Sequence, residues 1–178
     1  DRILSAEEVR KEHIDELVEI RGRVVSLSSV RPVVEKAKYE CPSCGTVITL
    51  DCSNARSIKK PYECSCGRNK GFKLLNKETV DRANIIIEDI QEKASNPHTE
   101  RLKGYVKEDL TKKEEISTFY PGNEIRAVGI VEEKPIYKYG SVSTQLDIKL
   151  QVMDAEHTEK EVSIENIEEE EIKDIKEI

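Results

Sequence analysis

Residues 17–25, LVEIRGRVV, are the stretch from which the fold of this chain can be worked out. Val18, Ile20 and Val24 fall on one face of an extended chain, and the charged residues between them fall on the other. This period of two predicts a half-buried β-strand. Gly22 lies in the middle of the run and predicts a bulge or a tight bend in that strand.

The regions on either side of this stretch also predict strands. Strands are expected at residues 33–39, 79–90, 105–110 and 124–131, and residues 132–152 predict a long hairpin that turns near Tyr139-Gly140-Ser141. Helices are expected only near the ends: a capping-box pattern at residues 5–8 predicts a short helix to about His13, and residues 165–178 space their isoleucines at helical intervals. Many strands and few helices favour a small closed β-barrel.

The five cysteines carry the strongest chemical signal. An odd count with two close pairs favours metal binding in a reducing compartment over a disulfide framework. CPSCG at residues 41–45 and CSCG at residues 64–67 resemble the two halves of a zinc ribbon, joined by the β-prone stretches 47–50 and 57–63. Four thiolates would close the shell of one structural zinc ion, and the predicted ligands are Cys41, Cys44, Cys64 and Cys66.

The compressed second pair leaves alternatives open. Cys52 can replace Cys64 or Cys66 as a ligand, and all five residues can also be ordinary free thiols.

The net charge of −7 is concentrated at the carboxyl end of the chain. Residues 154–178 hold eleven acidic residues against three lysines, so the remaining residues carry a net charge of about +1. The body of the chain can therefore present a local basic face to an anionic partner. No window is apolar over the roughly 18 residues that a membrane-spanning helix needs, so no membrane association is expected.

Four stretches, in order, resemble the minichromosome maintenance (MCM) family, specifically its archaeal members. They are HIDELVEIRGRVV at residues 13–25, VRPV at 30–33 followed by AKYEC at 37–41, the strand at 87–92 that ends IQE, and PGNEIRAVGI at 121–130. The resemblance covers roughly residues 10–175. The ordered set is more specific than any single motif in it.

The resemblance implies a mainly β fold: an OB-fold five-stranded barrel with an inserted zinc-ribbon subdomain, a long β-hairpin and short helices at the termini. The expected layout is a helical lead-in at residues 1–17, the OB-fold at 18–40 and 72–153 with its DNA-binding hairpin at about 132–152, and the zinc-binding insertion at 41–71. Residues 154–178 would be an acidic linker. We expect this linker to lead to an AAA+ motor outside the chain, since the sequence begins at Asp1 and reads as a piece of a longer protein.

The same resemblance implies the DNA-binding and ring-assembly region of a replicative DNA helicase, which is cytoplasmic and nucleoid-associated. Its partners would be single- and double-stranded DNA, further copies of itself in a hexamer or double hexamer, and the motor in cis. ATP and Mg would belong to that motor, because this chain has no Gly-x-x-x-x-Gly-Lys-Ser/Thr loop. Gln91 and Glu92 would lie at the loop that communicates with the motor.

Basic and aromatic side chains at two places are the candidate DNA contacts. The hairpin offers charge and stacking surfaces, and a second basic cluster lies around the second strand, where OB folds present their ligand face. These candidates are Lys134, Tyr137, Lys138, Tyr139, Arg31, Lys36 and Lys38. The plainer alternative is that they are ordinary exposed side chains.

Three other functions compete with this interpretation. A zinc-ribbon and OB protein of translation or transcription would prefer RNA, and a purely structural assembly module would bind no nucleic acid. An enzyme would need a nucleophile or an open metal position. The sequence offers no catalytic set, and the three histidines fall in a predicted helix, a loop and the tail.

Overall fold

Strands account for most of the secondary structure in the computed structural model, which describes residues 3–90 and 100–158. Within these ranges the strands are β1 (Ile3–Leu4), β2 (Leu17–Leu27), β3 (Arg31–Glu40), β4 (Val47–Asp51), β5 (Lys73–Glu88), β6 (Arg101–Lys107), β7 (Glu124–Lys138) and β8 (Ser141–His157). They form a sheet in the order β1-β2-β7-β8-β6-β5-β3-β4. The prediction of a mainly β chain is confirmed.

Five of the strands pair in a closed ring. β2 pairs with β7, β7 with β8, β8 with β6 and β6 with β5, and an additional pairing of β5 with β2 returns to the start. The contact between β6 and β8 is the parallel one in this ring, running from Lys103 opposite Lys149 to Tyr105 opposite Gln151. The fold is therefore OB-like, as the resemblance implied.

The interior of the ring is built by the alternation seen in the sequence. Val18, Ile20 and Val24 of β2 are buried in one cluster with the inward-facing residues of the other ring strands, including Ile85 and Leu150. Burial of this apolar surface is the main source of stability for such a barrel.

Three glycines, Gly22, Gly104 and Gly129, mark places where backbones of the ring come close together. A Cβ on Gly129 would collide with the carbonyl oxygen of Gln151, at a register shift between β7 and β8. A Cβ on Gly22 would lie 2.7 Å from the carbonyl oxygen of Glu88. The prediction of a bulge at Gly22 is wrong: the irregularity in β2 falls between Val24 and Ser26, and Gly22 instead permits close approach to β5.

The predicted insertion extends from a long β3–β5 ladder. This ladder runs from Arg31 opposite Arg82 to Glu40 opposite Lys73, with two register shifts, and β4 adds to the far side of β3. A strand was also predicted at residues 57–63, but the structure has none there. That stretch is β-prone, but no strand pairs with it.

The amino-terminal region differs from the single short helix that the sequence predicted. It forms two 3-10 turns, Ala6–Glu8 and Lys11–His13, separated by extended residues. Val9 between them is buried in the barrel core, and this tertiary contact requires an extended backbone where local propensity favours a helix.

All helical segments in the described ranges are 3-10 turns of three or four residues, so none of them is long enough to cross a membrane. Gln91, Glu92, His98 and the predicted helix at residues 165–178 lie outside the residues that the structure describes.

Replacing Gly129 with Ala should destabilise the protein by about 1–3 kcal/mol, because the added Cβ overlaps the Gln151 carbonyl and the two strands must separate to accept it. Chemical denaturation measures this difference. Val142→Ala, on the exposed arm of the same strand pair, is the control and should change stability by less than about 0.5 kcal/mol. Equal stability of the two variants would show that β7 and β8 do not need this close approach.

Candidate metal centre and nucleic-acid interface

Four cysteine sulfurs meet at the tip of the insertion. The Sγ atoms of Cys41, Cys44, Cys64 and Cys66 all lie within 4.8 Å of one another. The separation is 3.6 Å between Cys41 and Cys66 and 3.5 Å between Cys44 and Cys64. A tetrahedral shell with metal–sulfur bonds of about 2.3 Å places its sulfurs about 3.8 Å apart, so this cluster can hold one metal ion.

The local backbone positions both halves of the cluster. Gly45 and Gly67 follow the two cysteine pairs with φ values of 73° and 87°, a conformation that glycine adopts at little cost. Each glycine N–H donates back to a cysteine carbonyl, Gly45 to Cys41 at 2.9 Å and Gly67 to Cys64 at 2.8 Å. These tight turns bring the paired sulfurs to the same side of the backbone.

The electrostatics of the cluster favour a thiolate at Cys44. The Thr46 hydroxyl lies 3.0 Å from its sulfur, and this hydrogen bond, with a further one from the Thr46 backbone, lowers the pKa of Cys44 to about 6. A thiolate is the form of cysteine that binds metal. Zinc suits a set of four sulfur ligands and no other donors.

Cys52 lies apart from the four-sulfur cluster. It is buried with Ala37 and Tyr39 at the base of the insertion, where its N–H donates to the Glu35 carbonyl at 2.7 Å. Cys52 is therefore packed in the core of the insertion as an apolar side chain would be. The alternative ligand sets that included Cys52 find no support in this geometry.

Four cationic side chains line one cavity on the outer face of the barrel. Arg31, Arg82, Lys134 and Lys149 come from β3, β5, β7 and β8 and surround a volume of about 490 Å³. Serine, asparagine and small apolar side chains complete the lining, which contains no carboxylate among the residues described. A concentration of positive charge without an acidic partner is a candidate site for an anion.

Lys149 shows the electrostatic strain of this arrangement. Partial burial, followed by repulsion from Lys134 and Arg82, lowers the pKa of Lys149 to about 8, against an opposing effect of Asp147. An ammonium group held beside two other cations is disfavoured until an anion joins them. Phosphate oxygens are anions of the kind that lysine and arginine bind in proteins.

Arg82 is held in the cavity lining by an aromatic ring. Its guanidinium carbon lies 3.6 Å from the centroid of Tyr105, which is the geometry of a cation–π contact. The Tyr105 hydroxyl lies 2.8 Å from a carboxylate oxygen of Glu132 and 3.2 Å from Gln151. Tyr105 therefore contacts side chains from three other strands, β5, β7 and β8.

The hairpin tip presents aromatic surface to solvent. Tyr139 is fully exposed in a left-handed conformation with φ 51°, and Gly140 beside it has φ 83°. Tyr137 and Lys138 precede them and are exposed as well. The turn forms where the sequence predicted it. The tip offers flat rings on which unpaired bases can stack.

The seven candidate contacts divide into three groups in space. Arg31 and Lys134 lie in the cavity, Tyr137, Lys138 and Tyr139 lie at the tip, and Lys36 and Lys38 lie farther along β3 outside the cavity lining. Lys38 is paired with Glu78 at 2.6 Å, so its charge is already partly neutralised.

Sequence reasoning missed Arg82 and Lys149. Each lies on the outward face of its strand. Alternation in the sequence identifies such a face, but it does not indicate which other strands contribute side chains to the same cavity. The β5–β6 and β6–β8 pairings are what bring them together.

Comparison with protein-family models gives a match over most of the chain. The model described as "MCM OB domain" matches residues 5–135 of the chain.

Several curated relatives are MCM proteins. An uncharacterised MCM-type protein of Methanocaldococcus jannaschii is 32% identical over 66 residues, which cover 37% of this chain and 10% of the relative. DNA replication licensing factor MCM2 of Arabidopsis thaliana is 31% identical over 122 residues, covering 68% of this chain and 13% of the relative. The chain thus spans a small part of the length of these relatives.

Among solved structures, the chain is similar to the crystal structure of the N-terminal domain of an archaeal MCM. The TM-score is 0.65 at 21% sequence identity, and the match covers 88% of this chain and 62% of that one. At this identity the likeness concerns the fold.

The cysteine geometry predicts which variants lose a metal ion. Cys64→Ser should lower the bound metal from one ion per chain to well below one, because three thiolates leave the shell incomplete. Cys52→Ser, the matched control, should keep one ion. Native mass spectrometry counts the ions; loss of metal from the Cys52 variant would contradict the four-residue assignment.

The pKa of Lys149 predicts a pH-dependent gain in stability for Lys149→Gln. The pKa in the folded chain, about 8, lies below the ordinary 10.5, so the unfolded chain binds this proton more tightly. The charged side chain therefore costs stability below pH 8, and the cost disappears as pH rises from 8 to 10.5. After a discount for solvent screening of a half-exposed group, the variant should melt about 2–4 °C higher than the parent at pH 7.

Thermal unfolding of parent and variant at pH 7 and pH 10 measures this difference. Lys113→Gln, at an exposed position outside the cavity, is the control and should not change the melting temperature at either pH. A Lys149 variant that is no more stable than the parent at pH 7 would mean that neither burial nor the neighbouring cations disfavour the charged lysine.

Proposed function

The chain belongs to the MCM OB domain family, and we propose that it is the DNA-binding and ring-assembly region of a hexameric replicative DNA helicase. The similarity of its fold to the N-terminal domain of an archaeal MCM supports this proposal. The motor that hydrolyses ATP would be a separate AAA+ domain of the same protein, and the helicase would act in the cytoplasm at the nucleoid.

The cation-lined cavity is the observation that carries the proposal of DNA binding. Arg31, Arg82, Lys134 and Lys149 converge from four strands, so the barrel itself organises them. Each cation that neutralises a phosphate releases a counterion, and this release drives nucleic-acid binding at low salt. The repulsion around Lys149 adds to the gain, because a bound phosphate relieves it.

The hairpin would supply a second kind of contact. Tyr137 and Tyr139 offer stacking surfaces to bases, and Lys138 adds charge beside them. Lys134 lies lower on the same strand, in the cavity lining. A single strand whose backbone occupies the cavity could therefore extend along β7 and stack at the tip. Single-stranded DNA suits this arrangement because its bases are free to stack, while duplex DNA can use the phosphate contacts alone.

We propose that the four clustered cysteines hold one structural zinc ion. Zinc bound by four thiolates has no open position for water, so it would hold the insertion together and take no part in a reaction. The insertions would contact neighbouring copies in a hexamer or double hexamer, and Gln91 and Glu92 would couple the ring to the motor. Light scattering of the zinc-loaded chain tests assembly.

A zinc-ribbon and OB protein that binds RNA is the competing proposal. The matches above are to MCM proteins, which favours DNA replication over translation or transcription. Selectivity for RNA over DNA of the same length would reverse this preference.

Arg82→Ala and Lys149→Ala should each weaken binding of labelled single-stranded DNA about five- to eightfold at 0.1 M salt, the effect of losing one phosphate contact. The slope of log affinity against log salt should become shallower by about 0.7 for each variant, since one phosphate fewer is neutralised. Lys134→Ala should do the same, and Lys138→Ala and Tyr139→Ala should weaken single-stranded more than duplex DNA. Fluorescence anisotropy across a salt series measures both quantities.

Lys113→Ala removes one positive charge outside the cavity and is the matched control for net charge. If it weakens binding as much as the cavity variants do, the attraction is general and the cavity has no special part. If single-stranded DNA does not bind at all, the proposal fails.

A further inference from the structure

A carboxylate lies within reach of the cation-lined cavity but is held by another residue. Glu132 of β7 is the direct partner of Lys149 across the β7–β8 ladder. Side chains at directly opposed positions have Cβ atoms about 4.5–5.5 Å apart, close enough for a carboxylate and an ammonium to pair. Such a pair would remove one of the four charges offered to a phosphate.

The Tyr105 hydroxyl engages this carboxylate. A phenol carries one proton, and the 2.8 Å contact with Glu132 is the stronger of its two contacts because the acceptor is charged. Burial, together with Glu132, raises the pKa of Tyr105 above its ordinary range, so the hydroxyl remains a donor at any working pH.

The ring of the same residue supports a cation of the cavity. Tyr105 is buried, and Arg82 lies over its face in the cavity lining. Tyr105 thus contacts both the Arg82 cation, which favours phosphate binding, and the Glu132 carboxylate, which opposes it. The ring packs against Arg82, and the hydroxyl holds Glu132 by a hydrogen bond.

On the basis of the DNA-binding function proposed above, we propose that Tyr105 is a positioning residue for phosphate binding. Its hydroxyl keeps the Glu132 carboxylate from pairing with Lys149, and its ring holds Arg82 towards the cavity. Tyr105 touches no phosphate itself. Its contribution is that four cations remain available to a DNA backbone although a carboxylate lies on the adjacent strand.

A double-mutant cycle on Tyr105 and Glu132 tests this role through binding of a labelled oligothymidine at 0.1 M salt. Tyr105→Phe keeps the ring and frees Glu132, so binding should weaken about five- to eightfold, as for one lost phosphate contact. Glu132→Gln should bind at least as tightly as the parent. The double variant should return to within twofold of the parent, because no carboxylate remains to be restrained.

A merely structural role would give a different result: Tyr105→Phe would weaken binding, and Glu132→Gln would not restore it. That outcome overturns the proposal, as does unchanged binding by Tyr105→Phe. Thermal unfolding of all four proteins checks that each is folded. Tyr105→Leu removes the ring and should bind more weakly than Tyr105→Phe. If it does not fold, the cycle with phenylalanine still decides.

The Arg82→Ala and Lys149→Ala variants distinguish failure of the proposed DNA-binding cavity from failure of the positioning role of Tyr105. If both bind as the parent does, the cavity is not a DNA site, and the role of Tyr105 falls with it. If both bind weakly while Tyr105 and Glu132 show no coupling, the cavity function stands and the positioning role alone is refuted.

Discussion

The closure of five strands into a ring is the constraint on which the rest of the molecule depends. A ring this small forces the backbones together at the β7–β8 crossing, where only Gly129 leaves room for the Gln151 carbonyl. Closure also joins β6 to β8 in parallel, although these strands are far apart in sequence. The apolar interior and the outer cavity both follow from this arrangement, because each draws residues from strands that are distant in sequence.

The packed interior of the ring stabilises the fold enough to tolerate unfavourable charge interactions on its outer face. The inward residues of the ring strands are almost completely buried, and Ile20, Ile87 and Leu150 have no exposed surface. On the reverse side of the same strands, cations are placed together without acidic partners in the cavity lining. Charged groups arranged for binding commonly reduce the stability of the free protein. A well-packed barrel can sustain this cost, and the half-buried Lys149 is where it is concentrated.

Local sequence pattern predicts the features that are themselves local. Alternation at Val18, Ile20 and Val24 identifies β2, and the spacing of the cysteine pairs identifies the cluster at the insertion tip. Local pattern does not predict which outward side chains of distant strands come together. The stretch 57–63 has the composition of a strand but no partner.

Tertiary contacts account for the remaining differences. Arg82 and Lys149 carry no local sign of the cavity that they share, since their proximity depends on β6 lying between their strands. The amino-terminal residues that resemble a helix start are extended at Val9 because the core takes that side chain.

The β3–β5 ladder joins the two regions of functional interest. Arg31 and Arg82 face each other at one end, and the insertion that carries the four clustered cysteines continues from Glu40 and Lys73 at the other. Nine residue pairs span about 30 Å of this ribbon, with one register shift between Val34 and Lys36 and another between Lys38 and Tyr39. The ribbon therefore sets how far a molecule bound at the cysteine cluster would lie from the two arginines on the ring of strands.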